Sequence, residues 1–382
     1  MSMPERILYY ATNRKHEGDR WKPTGYGTKF SDDGLENLRF GKVTVSADEA
    51  KVTKFASSDT GKIGTGDGEA MSKYFTGVAG SADIRAFEES IDPKIADTAQ
   101  DAKLGSAAMF SEMKSIMMEA TDVLVYIHGF NVSWQSAVGS ALGLQEMLRQ
   151  SKAADRAQNV AVVLFTWPSD GKALPFVSYK SDRTESKASG YAFARGLLKL
   201  RDFLMKLKHT LPPEQLCKQN IHLLCHSMGN YVLQNSLRRL YDFTPGSALP
   251  RIFEHLFLCA PDIDDDVFEA GKPMAMLSEI TAHVTIYYNR EDKALHISDY
   301  TKGNPDRLGT NGASHPQLLH NKIHQVDCTP VVDKGFTEHR YYLSGNVCAD
   351  IRKSIDEIPQ DGNRPWRQAT HQANAWVMKS DK

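Results

Sequence analysis

The sequence predicts an α/β protein with a mostly parallel central sheet and helices on both faces. Three observations carry this. From residue 121 on, short β-branched, aliphatic and aromatic runs alternate with longer stretches of helical period, the pattern of βαβ units. The runs are apolar throughout rather than alternating, which fits strands covered on both faces. Each of the clearest runs ends abruptly, at His128-Gly129, Trp167-Pro168 and Ala260-Pro261-Asp262.

Taken in order, Arg6–Ala11 and Leu38–Ser46 read as strands, with a Gly-, Lys- and Asp-rich loop over 16–34 between them. Residues 57–68 read as a surface turn or loop, because Gly and small polar residues dominate there. Met109–Ala120 has helical spacing. Strands are then expected at Val123–Ile127, Val160–Thr166, Ile221–Cys225, Ile252–Leu258, Val284–Tyr288 and Ile323–Cys328. Helices are expected at Ser136–Ser151, Ala188–Lys208 and Asn230–Leu240. This divides the chain into N-terminal strands, loops and a helix (1–120), a core (121–350) and a C-terminal extension (351–382), packed as one structural domain. The tail after about residue 355 reads as an added helix or a flexible end, and 47–108 carries no functional signal.

The chain has 382 residues, with 46 Lys plus Arg against 47 Asp plus Glu, a net charge of −1. That balance gives no pull toward nucleic acid or an anionic membrane. The N-terminus lacks a signal h-region, and no run reaches the length of a membrane span. Five scattered cysteines form no C-x-x-C pair and no metal-ligand spacing. They read as reduced core residues of a cytoplasmic protein.

In a parallel sheet the ligand site lies beyond the C-terminal strand ends. There the third strand of the core runs into Cys225-His226-Ser227-Met228-Gly229 and then a helix, the context of a nucleophile elbow. Ser227 is the expected nucleophile, against the plainer reading that it only caps the following helix. Its oxyanion donors would be the backbone N–H groups of Met228 and of Phe130, with His128-Gly129 turning the loop toward the site. The base should follow in the chain. Position favours His339, because His255 and His283 lie in or before strands, and His315, His320 and His324 precede or start the last one; His296 lies just beyond the fifth strand. For the acid, Asp292 occupies the usual slot, with Asp262 and Glu291 as alternatives. Asp264, Asp265 and Asp266 read as the solvated opening of a helix. His226 reads as packing beside the nucleophile. Trp167, Tyr179 and Asp182 read as supporting or substrate-lining residues.

These stretches resemble an uncharacterised bacterial α/β-hydrolase family that carries a domain of unknown function. The likeness rests on Tyr10-Ala11-Thr12-Asn13-Arg14, on Val125–Asn131, on Phe165-Thr166-Trp167-Pro168-Ser169 and on His226-Ser227-Met228-Gly229-Asn230. It continues through Asp292-Lys293-Ala294-Leu295, Arg307-Leu308-Gly309 and His339-Arg340-Tyr341-Tyr342. It spans about residue 6 to about residue 350. The resemblance implies the α/β-hydrolase fold and a Ser227, Asp292 and His339 triad, with an esterase-like activity and no cofactor. Cys225 departs from it, standing where many such proteins have Gly.

The expected activity is hydrolysis of a small-molecule carboxylic ester. Two alternatives stay open. One is a lipase or phospholipase acting on lipid esters, with an apolar lid over Gly171–Gly190. The other is a hydrolase fold used as a non-catalytic binding module.

Overall fold

The computed structural model describes residues 3–58, 66–89, 104–149, 159–169, 175–210, 212, 219–244, 251–295, 306–332, 336–357, 360 and 364–379. The chain opens with β1 (Glu5–Thr12), β2 (Arg14–Gly18), β3 (Pro23–Phe30) and β4 (Arg39–Ser46). Next come α1 (Glu49–Ser57), α2 (Gly68–Ala79), β5 (Asp83–Ala86) and α3 (Gly105–Glu119). The core follows as β6 (Asp122–Ile127), α4 (Trp134–Arg149), β7 (Val160–Thr166), α5 (Pro175–Thr210), β8 (Asn220–His226) and α6 (Gly229–Phe243). It closes with β9 (Phe253–Cys259), β10 (Thr281–Tyr288), β11 (Ile323–Asp327), α7 (Gly345–Ile355), β12 (Arg367–Ala369) and β13 (Ala375–Met378).

One sheet runs in the order β12-β13-β11-β10-β9-β8-β6-β7-β1-β4-β5. Every neighbouring pair from β13 across to β1 is parallel. Antiparallel strands are added only at the two edges. Successive residues feed separate apolar clusters on the two faces. Leu124 and Tyr126 enter one, and Val123 and Ile127 the other. That is why the core strands read as unbroken apolar runs.

Five expectations need correction, the last being the tail, which is neither a helix nor a loose end. The 16–34 stretch is the β2–β3 hairpin rather than a loop. Its buried residue Tyr26 packs on Tyr10 and Trp134, a long-range anchor that local composition does not reveal. α5 begins at Pro175, well before Ala188, and takes in Tyr179 and Asp182. Of the expected loop 57–68, residues 59–65 lie outside the described residues, and Gly68 already starts α2, with the Asp67 side chain capping the Ala70 N–H at 2.9 Å. Asp264 does not open a helix; it pairs with the buried Arg307.

The tail forms the β12–β13 hairpin, and β13 joins β11 in parallel. The hairpin is held by a charge buried in α7. Asp350 meets Arg364 at 3.0 Å, Arg367, the Tyr287 hydroxyl at 2.6 Å and the Trp366 indole at 3.0 Å. The two guanidiniums keep the Asp350 carboxyl below the usual range although burial pushes it up. Removing one partner of such a buried cluster strands the others without water. Asp350→Ala is therefore expected to cost about 3–5 kcal/mol in denaturant unfolding, whereas a change below about 1 kcal/mol would show that the cluster does not hold the tail.

Candidate active site

β8 delivers the chain to Ser227, whose φ is 51°. A residue with a side chain is strained in this left-handed region. Four contacts hold it there. Its N–H donates to Cys259 O at 2.9 Å, and its carbonyl accepts from the Asp262 N–H at 3.2 Å. The Asn230 side-chain amide donates to both Cys225 O and Ser227 O at 3.0 Å. Gly229 completes the turn. A Cβ there would sit 2.7 Å from the Ile127 and His128 carbonyl oxygens, so only glycine lets α6 pass β6 this closely. Cys225 is fully buried, and the turn forms with a thiol at this position. Burial pushes that thiol well up, leaving it unreactive.

The loop after β6 lies directly against the serine. A Cβ on Gly129 would be 2.8 Å from Ser227 Cβ and 3.3 Å from its Oγ. Asn131, with φ 58°, turns the loop away again. The Asn131 N–H donates to Asp182 Oδ2 at 3.0 Å, and the Ser169 hydroxyl donates to the same oxygen at 2.6 Å. Ser169 also accepts the Val132 N–H at 3.1 Å. Among the described residues no protein acceptor takes the Phe130 or the Met228 N–H.

His128 is buried beneath this loop and neutral. Burial is the main cause, with the Arg14 charge adding to it, and together they lower its pKa to about 3. The Trp167 N–H points at His128 Nε2 from 3.3 Å, so Nδ1 carries the proton and donates to Gly129 O at 2.8 Å. The Thr166 hydroxyl lies 2.9 Å from the same Nε2. It also accepts from Arg14 Nε at 2.9 Å, and so donates to the imidazole. Arg14 is itself fully buried and donates to Val132 O at 2.7 Å. Burial lowers the Arg14 pKa to about 9, against the opposing charges of Asp182 and Glu185.

His339 follows β11, and its Nδ1 lies 2.7 Å from Asp292 Oδ2. The other oxygen, Oδ1, is fixed by the Ala294 and Leu295 N–H groups at 3.0 and 3.2 Å, which aims Oδ2 at the imidazole. Burial alone would lower the His339 pKa. The charge and hydrogen bond of Asp292, helped by the Asp262 charge, outweigh it and raise the pKa above 6.5. Asp262 is engaged elsewhere, with the Tyr179 hydroxyl at 2.9 Å and Arg307 Nε at 3.4 Å. Glu291 occupies the turn beside Asn289. Of the three acids considered, Asp292 is the one hydrogen-bonded to His339.

His226 joins the His339 segment to the turn that carries Ser227. Its Nε2–H donates to the His339 carbonyl at 3.0 Å, and the two rings lie 4.7 Å apart. Burial, with the nearby His339 charge, holds its pKa well below 6.5. Trp167 is fully buried, stacks on His128 at 5.3 Å and donates to its carbonyl at 3.1 Å. Tyr179 packs edge-on against Phe130 at 5.8 Å. Trp167 and Asp182 thus sit below the site as supports, with no side-chain exposure to offer a substrate.

Sequence reasoning gave no role to Arg14, Asn230, Glu69 or Tyr341. Tyr341 donates its hydroxyl to Tyr287 O at 2.9 Å and accepts the Ala260 N–H at 3.1 Å, pinning the His339 segment between β9 and β10. Arg14, Asn230 and Tyr341 stand inside the motifs that carry the family likeness, whereas Glu69 had no signal. Among the described residues no group of three or more His, Cys, Asp or Glu is arranged to hold a metal, and no helix is long and apolar enough to cross a membrane.

The sequence similarities agree with this geometry at the level of fold. An uncharacterized protein of Nostoc sp. (strain PCC 7120), alr1448, is 23% identical over 315 residues, covering 64% of this chain and 77% of that protein. Residues 107–353 match the family described as alpha/beta hydrolase of unknown function (DUF900). That match takes in the loop after β6, the elbow, Asp292 and His339, and the chain belongs to this family of alpha/beta hydrolases.

Proposed function

We propose that the protein is a serine hydrolase that cleaves carboxylic esters through an acyl-enzyme on Ser227. The observation that carries the reading is a serine held at φ 51° on a strand-to-helix turn, next in the chain to His226, whose ring lies 4.7 Å from the His339 of a His339–Asp292 pair. In this mechanism His339 takes the Ser227 proton as Oγ attacks the ester carbonyl. The Phe130 and Met228 N–H groups receive the oxyanion. His339 then gives its proton to the leaving alcohol. Water adds to the acyl-enzyme with His339 again as base, and the acid leaves as Ser227 recovers its proton. Asp292 keeps the Nδ1–H tautomer and stabilises the imidazolium.

A soluble ester fits better than a lipid. The lid that a lipid substrate would ask for was sought in Gly171–Gly190. From Pro175 on that stretch is helix, with Tyr179 and Asp182 turned inward; Gly171–Leu174 lie outside the described residues. A serine in left-handed backbone on the strand-to-helix turn, together with the His339–Asp292 pair, argues against a purely non-catalytic module. A reducing, cytoplasmic setting is supported by Cys225, Cys259, Cys328 and Cys348, all free and buried; Cys217 lies outside the described residues.

A fluorophosphonate probe is expected to label the wild type and to leave Ser227→Ala and His339→Ala unlabelled. A folded wild type that resists the probe would contradict an activated serine. Gly129→Ala places a methyl 2.8 Å from Ser227 Cβ. It should lower kcat on p-nitrophenyl acetate about 100-fold, and retention of full activity would remove the loop after β6 from the site. The base must be neutral to act, and its folded pKa lies above 6.5. Activity should therefore rise with pH along an acid limb whose kcat/KM midpoint is above 6.5. A midpoint clearly below that value would exclude His339 paired with Asp292 as the base.

A further inference from the structure

The catalytic segment is tied to a part of the chain that lies outside the region matching the family. The residue after His339 is Arg340, where the backbone leaves helical geometry at φ −105°, ψ 33°. Its guanidinium reaches α2 and α4. Nε and Nη2 donate to Glu69 Oε2 at 2.8 and 2.6 Å, Nη2 to Ser72 Oγ at 3.1 Å, and Nη1 to Ser140 Oγ at 3.0 Å. Glu69 and Ser72 belong to the first turns of α2. The same end of α2 touches the base segment again three residues further on. The Gly68 N–H donates to Ser344 Oγ at 2.9 Å, and a Cβ on Gly68 would fall 2.0 Å from Leu343 O. On its other side His339 is held by His226, through its carbonyl, and by Asp292.

We propose that Arg340 and Glu69 form a positioning clasp for His339, which makes α2 a working part of the site rather than a surface addition. The proposal rests on the reading of His339 as the base. Adjacent residues of one short segment face opposite ways here. His339 is bonded to Asp292, while Arg340 faces α2, so the clasp fixes the short segment that carries the imidazole. A general base must hold its place closely, since a displacement near 1 Å costs about 100-fold in rate.

The clasp can be opened without unfolding the protein. Glu69 is 35% and Arg340 25% exposed, and Glu69→Gln keeps the side-chain length and an acceptor oxygen for Arg340, so it removes the charge without leaving a cavity. The charged and titratable groups around His339 are Asp292, Asp262, Arg340 and His226. Glu69→Gln leaves Arg340 less neutralised and loosens the bond to Asp292. Both effects lower the His339 pKa, so the acid limb has one expected direction.

The test compares wild type, Glu69→Gln, Arg340→Lys and the control Lys73→Gln, an exposed position on the same helix. For Glu69→Gln the expected result is a kcat about tenfold lower on p-nitrophenyl acetate, with KM within about twofold. Its acid limb should move to lower pH, and its melting temperature should stay within about 4 °C of wild type. Arg340→Lys keeps the charge but not the fork, and should lose kcat similarly. Lys73→Gln should match wild type. The downfield proton resonance of the His339 Nδ1–H bonded to Asp292 should shift or broaden in Glu69→Gln. An unchanged resonance, kcat and acid limb in Glu69→Gln would overturn the clasp. Because the resonance reads the base directly, it decides the clasp even if wild type fails to label with fluorophosphonate, a failure that counts against the hydrolase reading instead.

Discussion

The left-handed backbone of Ser227 is the constraint around which the rest of this site is arranged. Such a conformation costs on the order of 1–3 kcal/mol and persists only where its surroundings leave no alternative. Here the surroundings are the sheet itself. Cys259 at the end of β9 accepts the serine N–H, the chain just beyond β9 donates to its carbonyl, and Gly229 packs on the end of β6. The central strands β6, β8 and β9 thereby set one turn. That turn in turn fixes how near the loop after β6 can come, because Gly129 rests on the serine Cβ. The N-terminus of α6 behind the turn adds a favourable potential for developing negative charge.

The loop after β6 and the His339 segment are held by a different means, buried polar networks with matched donors and acceptors. Arg14, Thr166 and His128 form a chain in which each proton has an assigned acceptor, and Asp182 draws in the Asn131 N–H and the Ser169 hydroxyl. In a low dielectric such networks are rigid when complete and costly when broken. The His339 segment depends on tyrosine hydroxyls. Tyr341 bridges β9 and β10, and Tyr342 meets Tyr126 at 2.7 Å. Because burial holds His128 and His226 neutral while the carboxylates raise His339, proton affinity near the serine is concentrated on one imidazole.

What could be read from the sequence follows from the range of each interaction. Parallel strands covered on both faces need apolar residues at most positions, so β6 to β10 and the residues at their ends were visible, Ser227 and His128 among them. Asp292 was visible from its slot just after β10 and from the family likeness, with Asp262 and Glu291 as alternatives. The β2–β3 hairpin was not, since its hold is the distant packing of Tyr26 on Tyr10 and Trp134. The same holds for the tail. Its strands are short, and Asp350 in α7 secures them by pairing with Arg364 and Arg367. Glu69 and Arg340 lie 271 positions apart, a separation over which no periodicity or spacing carries a signal.

The central claim is that one serine, set by the fold, is the nucleophile. Its most direct measurement is the site of covalent modification. The wild-type protein is treated with a fluorophosphonate, digested, and the adduct located by peptide mass spectrometry. A single adduct on Ser227 is the expected result. An adduct on any other residue with Ser227 unmodified would contradict the account.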